Sequence, residues 1–185
     1  MTFTALKVGF IGLGTMGAPM ALNLRRAGHT LFVASRGKIS AAFAEEGATV
    51  CTNATEVAKR ADIIITMVPD TPHVEDVLFG ETGVAKGLKG GAAGKLVIDM
   101  SSISPIATQA FARKINALGC DYLDAPVSGG EVGAKAASLT IMVGGPQAAF
   151  DRARPLFEVL GKNITLVGGN GDGQTTKVAN QIIVA

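Results

Sequence analysis

The chain has 185 residues, 48% of them hydrophobic, and a formal net charge of +2 at pH 7. A chain of this length and composition can bury a sizeable core, which excludes a disordered protein. The small charge, the lack of a Lys/Arg block and apolar runs too short to span a bilayer lead us to expect neither nucleic acid nor a membrane as a partner.

Short β-branched segments alternate with segments of helical periodicity from the start of the chain. The pattern predicts three strand–helix units, which are Lys7 to Ile11 then Met16 to Ala27, Thr30 to Ala34 then Lys38 to Glu46, and Asp62 to Met67 then His73 to Phe79. This alternation is typical of βαβ units, in which helices cover both faces of a parallel sheet. We therefore predict an α/β protein with a doubly wound, mostly parallel sheet.

The same pattern continues to the end of the chain. It predicts strands at Lys95 to Asp99, Tyr122 to Asp124, Leu139 to Val143 and Ile164 to Val167, and helices at Pro105 to Leu118, at Pro146 to Leu160 and from Asp172 onward. The last helix has no stop signal before Ala185, because neither Gly, Pro nor a basic cluster ends it. We expect one domain over residues 1–170, and a truncated interdomain helix over residues 171–185.

A glycine-rich segment joins the first strand to the first helix. In this position the first glycine allows a tight turn, the second lets backbone approach a pyrophosphate, and the third lets helix and strand pack closely. Phosphates would bind the free N–H groups at the helix N-terminus. The segment predicts a Rossmann-type dinucleotide site, with a glycine turn of no function as the alternative. The predicted contacts are Gly12, Leu13, Gly14, Thr15, Met16 and Gly17.

The end of the second strand indicates which dinucleotide is bound. An Asp or Glu that would accept a hydrogen bond from the ribose 2′-hydroxyl is missing there. Arg36 instead offers a fork of donors suited to a phosphate, and Ser35 is a further donor. The segment favours NADP over NAD, which stays possible; a solvated Arg36 is the alternative.

Further candidates follow strands that end at the same edge of the sheet, where open α/β sheets bind their ligands. Met67, Val68 and Pro69 are predicted to touch the cofactor, with a rigid turn as the alternative. The hydroxyls of Ser101 and Ser102 can donate to a nicotinamide ribose or a substrate carboxylate, or can cap a helix.

A serine followed by two glycines comes after the strand that ends at Asp124. Such a turn exposes backbone N–H groups and a hydroxyl in one concave nest. We expect Ser128, Gly129 and Gly130 to bind a carboxylate, which predicts a small-molecule carboxylate substrate.

Cysteine and histidine usage gives no sign of a metal. Cys51 and Cys120 lie far apart, and neither they nor His29 and His73 have partners at ligand spacing, so we expect no metal site. Unpaired cysteines are typical of a reducing compartment, and we expect reduced thiols in a cytoplasmic protein.

Three motifs, in this order, resemble the signatures of the β-hydroxyacid dehydrogenase family. They lie at Gly9 to Gly17, Asp124 to Gly130 and Gly171 to Gln181, so the resemblance covers essentially the whole chain. Within the family, residues 99–105 and 160–174 are similar to the branch that reduces tartronate semialdehyde to glycerate. Reduction of 3-hydroxyisobutyrate-type or succinic semialdehydes is the nearest alternative.

The resemblance implies hydride transfer between a nicotinamide and the carbonyl carbon of a small semialdehyde acid. Lys177 matches the family's general acid/base, Asn180 the residue that orients the substrate, and Ser128 to Gly130 the carboxylate loop. A lysine in the first turns of a helix, in a dry pocket, would have a lowered pKa, as this role requires.

The resemblance also implies a second, all-helical domain, which is absent from this sequence. In the family that domain closes over the substrate and forms the homo-oligomer interface, so turnover by this chain alone is in question. A non-catalytic dinucleotide-binding module is the other alternative, and Lys177 argues against it, because such a module has no use for a catalytic lysine.

Overall fold

The computed structural model describes residues 4–184, within which the chain forms nine strands and nine helices. The strands are β1 (Lys7–Ile11), β2 (Thr30–Ala34), β3 (Thr49–Val50), β4 (Ile63–Thr66), β5 (Leu96–Asp99), β6 (Asp121–Asp124), β7 (Val127–Ser128), β8 (Leu139–Gly144) and β9 (Gly161–Gly168). The helices are α1 (Gly17–Arg26), α2 (Ala42–Glu45), α3 (Ala54–Arg60), α4 (Thr71–Phe79), α5 (Val84–Leu88), α6 (Pro105–Asn116), α7 (Gly130–Lys135), α8 (Gln147–Leu160) and α9 (Asp172–Val184).

One sheet contains all of these strands. Its order is β3-β2-β1-β4-β5-β6-β8-β7, and β9 pairs with β8. The six neighbouring strands β3, β2, β1, β4, β5 and β6 are parallel to one another. Strand β8 runs antiparallel to β6 and β7 and parallel to β9. The predicted α/β fold with a doubly wound, mostly parallel, Rossmann-type sheet is confirmed.

Alternating side chains of the strands enter separate apolar layers on the two faces of the sheet. Ile63 and Ile65 pack into a layer with α1 and α8, whereas Ile64 packs into a layer with helices α3 to α6. All of β4 is buried, as a parallel strand covered on both faces should be. Each fully buried aliphatic side chain contributes about 1.5–3 kcal/mol, so the continuous apolar runs explain why the sheet forms.

The elements that the sequence reading missed or misplaced are short. The predicted helix from Lys38 to Glu46 is reduced to α2, because the chain bends after β2 and the helix begins only beyond Ser40, whose Oγ accepts the N–H of Ala42. Strands β3 and β7 and helices α3, α5 and α7 were not predicted. A start signal for α3 is present, since Asn53 accepts the N–H of Glu56 at 3.0 Å.

Between residues 4 and 184, no helix is both long and apolar enough to cross a membrane.

The turn between β1 and α1 depends on a close backbone approach. A Cβ at Gly17 would lie 1.9 Å from the carbonyl oxygen of Gly12, whereas a Cβ at Gly14 would meet nothing within 4 Å. We expect Gly17→Ala to lower the free energy of unfolding by about 2–4 kcal/mol, and Gly14→Ala to change it by less than about 0.5 kcal/mol. Urea denaturation of both variants tests this, and equal losses would contradict the packing described here.

Candidate functional site

A groove of about 870 Å³ opens at the carboxyl ends of β1, β2 and β4. It lies where open parallel sheets place their ligands. Its walls contain most of the residues predicted to bind the cofactor, which are Gly12, Leu13, Gly14, Thr15, Met16, Gly17, Ser35, Arg36, Met67, Val68 and Pro69, together with Ser102. Segments separated by up to ninety positions in the chain therefore meet in one cavity.

The amino end of α1 faces this groove and is suited to an anion. No side chain caps the helix at Met16, and its first turn contains no acidic residue. Backbone N–H groups and the positive end of the helix dipole are therefore available to phosphate oxygens. Gly14 is exposed and leaves the loop open to close backbone approach. Together with a volume in the range of ligand-binding pockets, these features fit a dinucleotide.

The two adjacent serines after β5 face different surroundings. Ser101 is fully buried, and its Oγ accepts the N–H of Val68 at 3.0 Å. It does not line the groove, so its hydroxyl supports the Val68 loop, in place of the predicted contact with the cofactor. Ser102 is exposed and lines the groove.

A second, smaller cavity of about 380 Å³ continues from the groove at Ser102, which lines both. Lys177 on α9 lines this second cavity and is only 8% exposed. Its Nζ donates a hydrogen bond to Oε1 of Gln181 at 2.8 Å. Burial lowers the pKa of Lys177, because the charged form loses solvation. The structure thus places an amine that is largely shielded from solvent at the end of the groove.

The other residues expected to hold the substrate meet on a neighbouring part of α9. Asn180 lies three residues after Lys177, and its Nδ2 donates to Oγ of Ser128 at 3.5 Å. Gly129 and Gly130 follow at the start of α7 with φ angles of 129° and 58°. Of these five residues, only Lys177 lines either cavity, and the serine–glycine turn is joined to α9 through the bond between Ser128 and Asn180.

A row of polar side chains crosses the sheet at the same edge, which the sequence reading missed. Thr66, Asp99 and Asp124 end β4, β5 and β6 and are register partners. Thr66 donates to Oδ1 of Asp99 at 2.9 Å, and the Tyr122 hydroxyl donates to its Oδ2 at 3.4 Å. Burial raises the pKa of Asp99 to about 6 and also raises that of Asp124. The available signal was one polar residue at the end of each strand.

Gln174 is a further residue whose place could not be read from the motifs. It is 1% exposed, and its Nε2 donates to the carbonyl of Ser101 at 2.7 Å. Its Oε1 accepts the N–H of Ile103 at 3.1 Å. These bonds hold α9 against the segment after β5. The available signal was its position three residues before Lys177, on the same face of the helix.

Neither cysteine lines the groove or the second cavity. Cys51 and Cys120 are both buried and free, and burial raises the pKa of Cys120 to about 12. A thiol with a raised pKa is a poor nucleophile and a poor metal ligand. In the part of the chain that the structure describes, no three His, Cys, Asp or Glu side chains are grouped to hold a metal.

The groove and the amine at its end can be compared with known proteins. A family model described as the NAD binding domain of 6-phosphogluconate dehydrogenase matches residues 7–169. The chain belongs to this family. The resemblance to the β-hydroxyacid dehydrogenases that the three motifs indicated is thereby confirmed.

Three relatives show how far the similarity extends. The 2-hydroxy-3-oxopropionate reductase of Escherichia coli (strain K12) is 62% identical over 180 residues, which are 97% of this chain and 61% of that enzyme. The structure of Mycobacterium tuberculosis 3-hydroxyisobutyrate dehydrogenase with L-serine matches with a TM-score of 0.89 and 36% identity, over 98% of this chain and 60% of that one. Psf3 in complex with NADP+ and 2-OPP matches with a TM-score of 0.88 and 29% identity, over 95% and 61%. The chain spans about 60% of the length of these three proteins.

The buried Asp99 makes stability depend on pH. Because its pKa is raised from 3.8 to about 6, the folded chain binds this proton more tightly than the unfolded chain does. Ionisation therefore lowers stability as the pH rises from about 4 to about 6, by about 3 kcal/mol at most. Asp99→Asn cannot ionise and keeps an acceptor for Thr66. We expect it to gain stability relative to the wild type across this interval in urea denaturation, and parallel pH curves would refute this.

Proposed function

We propose that this chain is the cofactor-binding part of an NADP-dependent β-hydroxyacid dehydrogenase that reduces tartronate semialdehyde to glycerate. The observation that carries the proposal is the buried amine of Lys177 at the end of a groove suited to a dinucleotide. The relative that is 62% identical supports the choice of substrate, because 2-hydroxy-3-oxopropionate is tartronate semialdehyde.

Different residues of the site would bind the cofactor and transfer the proton in this reaction. The glycine loop and the amino end of α1 would hold the pyrophosphate, and Ser102 lines the groove where it meets the second cavity. A bound nicotinamide cofactor supplies the hydride that is added to the carbonyl carbon. The ammonium of Lys177 donates the proton that the new alkoxide needs, and the neutral amine removes it in the reverse direction. A lowered pKa suits both tasks.

The turn that ends β7 would orient the substrate. We assign the substrate carboxylate to Ser128, Gly129 and Gly130, because a serine followed by two glycines can offer a hydroxyl and backbone N–H groups to an anion. Asn180 bonds to Ser128 and lies on the same face of α9 as Lys177, so it would align the reacting hydroxyl with the amine.

NADP is the cofactor we assign, because the groove is basic where the adenosine ribose would lie. Arg36 lines the groove beside Ser35, and no acidic residue follows β2 there. A structural neighbour that contains NADP+ supports this choice. NAD is the alternative, and the description of the matching family model favours it.

The rival substrates are 3-hydroxyisobutyrate and succinic semialdehyde. The observation in favour of the first is the structural match to a 3-hydroxyisobutyrate dehydrogenase.

We further propose that residues 1–170 form the Rossmann domain and that 171–185 lead into a helical domain that completes a homo-oligomer. Val178, Ile182 and Ile183 support this, since α9 exposes them by 49%, 77% and 82%.

Lys177→Ala tests the proposed chemistry. In the complete polypeptide we expect kcat to fall by about a thousandfold, because the proton donor is gone, while the Kd for NADPH stays within about threefold. Reduction is followed as loss of NADPH absorbance with tartronate, methylmalonate and succinate semialdehydes. Lys162→Ala, at an exposed lysine on β9, is the matched control. A Lys177→Ala variant that keeps most of its rate would remove this residue from the mechanism and leave a dinucleotide-binding module.

Arg36→Ala tests the cofactor. Loss of a charge-assisted hydrogen bond to a 2′-phosphate should weaken NADPH binding by about 10–100-fold and leave NADH binding within about twofold. Fluorescence titration of this chain with each nucleotide gives both constants. Equal weakening of the two nucleotides, or of neither, would speak against a phosphate contact at Arg36.

A further inference from the structure

We infer that Asp124 is a positioning residue, whose buried carboxylate caps α9 from a distant strand and thereby fixes Lys177 at the end of the groove. This inference rests on the proposed role of Lys177. Asp124 ends β6 and is fully buried, beside the serine–glycine turn but outside both cavities.

The amino end of α9 has no cap of the usual kind. The residue before Asp172 is Gly171, which has no side chain to accept a hydrogen bond. Asp124 replaces that side chain, since its Oδ2 accepts the N–H of Gln174 at 3.0 Å. Its Oδ1 accepts the N–H of Gly171 at 2.8 Å. One carboxylate thus makes both bonds that a capping box usually divides between two residues of the helix itself.

Two glycines leave space for the carboxylate of Asp124 between the sheet and α9. A Cβ at Gly144 or at Gly173 would lie 2.8 Å from a carboxylate oxygen of Asp124, so both positions allow backbone to approach that group closely. The negative carboxylate also faces the positive end of the helix dipole. These contacts fix the distance between the end of β6 and the first turn of α9.

This first turn leads directly to the amine. Lys177 comes three residues after Gln174, a rise of about 4.5 Å along a helix. Gln174 is held twice, through its backbone by Asp124 and through its side chain by the segment after β5. A shift at the cap therefore moves the Lys177 amine relative to Ser102, where the two cavities join.

Asp124→Asn is the main test, because it keeps the shape but offers only one acceptor oxygen for the two N–H groups. We expect kcat of the complete polypeptide to fall by at least about tenfold, since small displacements of a reacting group are costly, with NADPH affinity within about threefold. In isotope-labelled lysine NMR spectra of this chain, the Lys177 side-chain resonance should move. Asp121→Asn, at the exposed first residue of the same strand, should change none of these quantities.

Two results would overturn the inference. One is a folded Asp124→Asn variant with an unmoved Lys177 resonance and a kcat that falls only with the folded fraction, since a merely structural role predicts this. The other needs no variant: the amides of Gly171 and Gln174 in the wild type should exchange slowly with solvent, and rapid exchange would refute the cap. If the wild type reduces no semialdehyde but the resonance still moves, the proposed function fails and the positioning role stands.

Discussion

Parallel pairing brings the carboxyl ends of β4, β5 and β6 to one edge of the sheet, and every buried polar group there must find a partner. Thr66, Asp99 and Asp124 form one row across these strands, so two carboxylates lie close together in a dry interior. Hydroxyl and backbone donors satisfy them. Helix α9, which bears Lys177, and the residue before it supply two of these backbone donors to Asp124. The position of Lys177 therefore depends on how the buried carboxylate is satisfied.

The fold was predictable because its signals are local and repeated. The apolar run of β4, the glycine segment after β1 and the Ser104–Pro105 start of α6 each identify an element within a few residues. The two-residue strands and the short helices α3, α5 and α7 were missed, because elements of that length carry too few residues to show a period. Their existence depends on pairing with neighbours that only the tertiary structure supplies.

The site was predictable where a motif carries the chemistry, and less so where long-range packing decides. The glycine loop and Arg36 do line one groove, and Lys177 lies at its end. Ser101 and Ser102 looked equivalent, but the backbone turns one hydroxyl inward and leaves the other exposed. Asp124 bonds to a helix that begins 48 positions later. The sequence around Asp124 does not show which helix the carboxylate caps, and the sequence around α9 does not show that its cap comes from a strand.

The tight contacts around Asp124 also constrain how this edge can change during evolution. Gly144 and Gly173 lie against the same carboxylate, and a Cβ at either would also lie 2.5 Å from a backbone carbonyl oxygen, that of Gly169 or of Met142. Substitutions at these three positions should therefore combine non-additively, with single replacements harmful and few double replacements compensating. Even a smaller residue at position 124 would leave the two backbone contacts in place, so this edge tolerates few changes at any of the three positions.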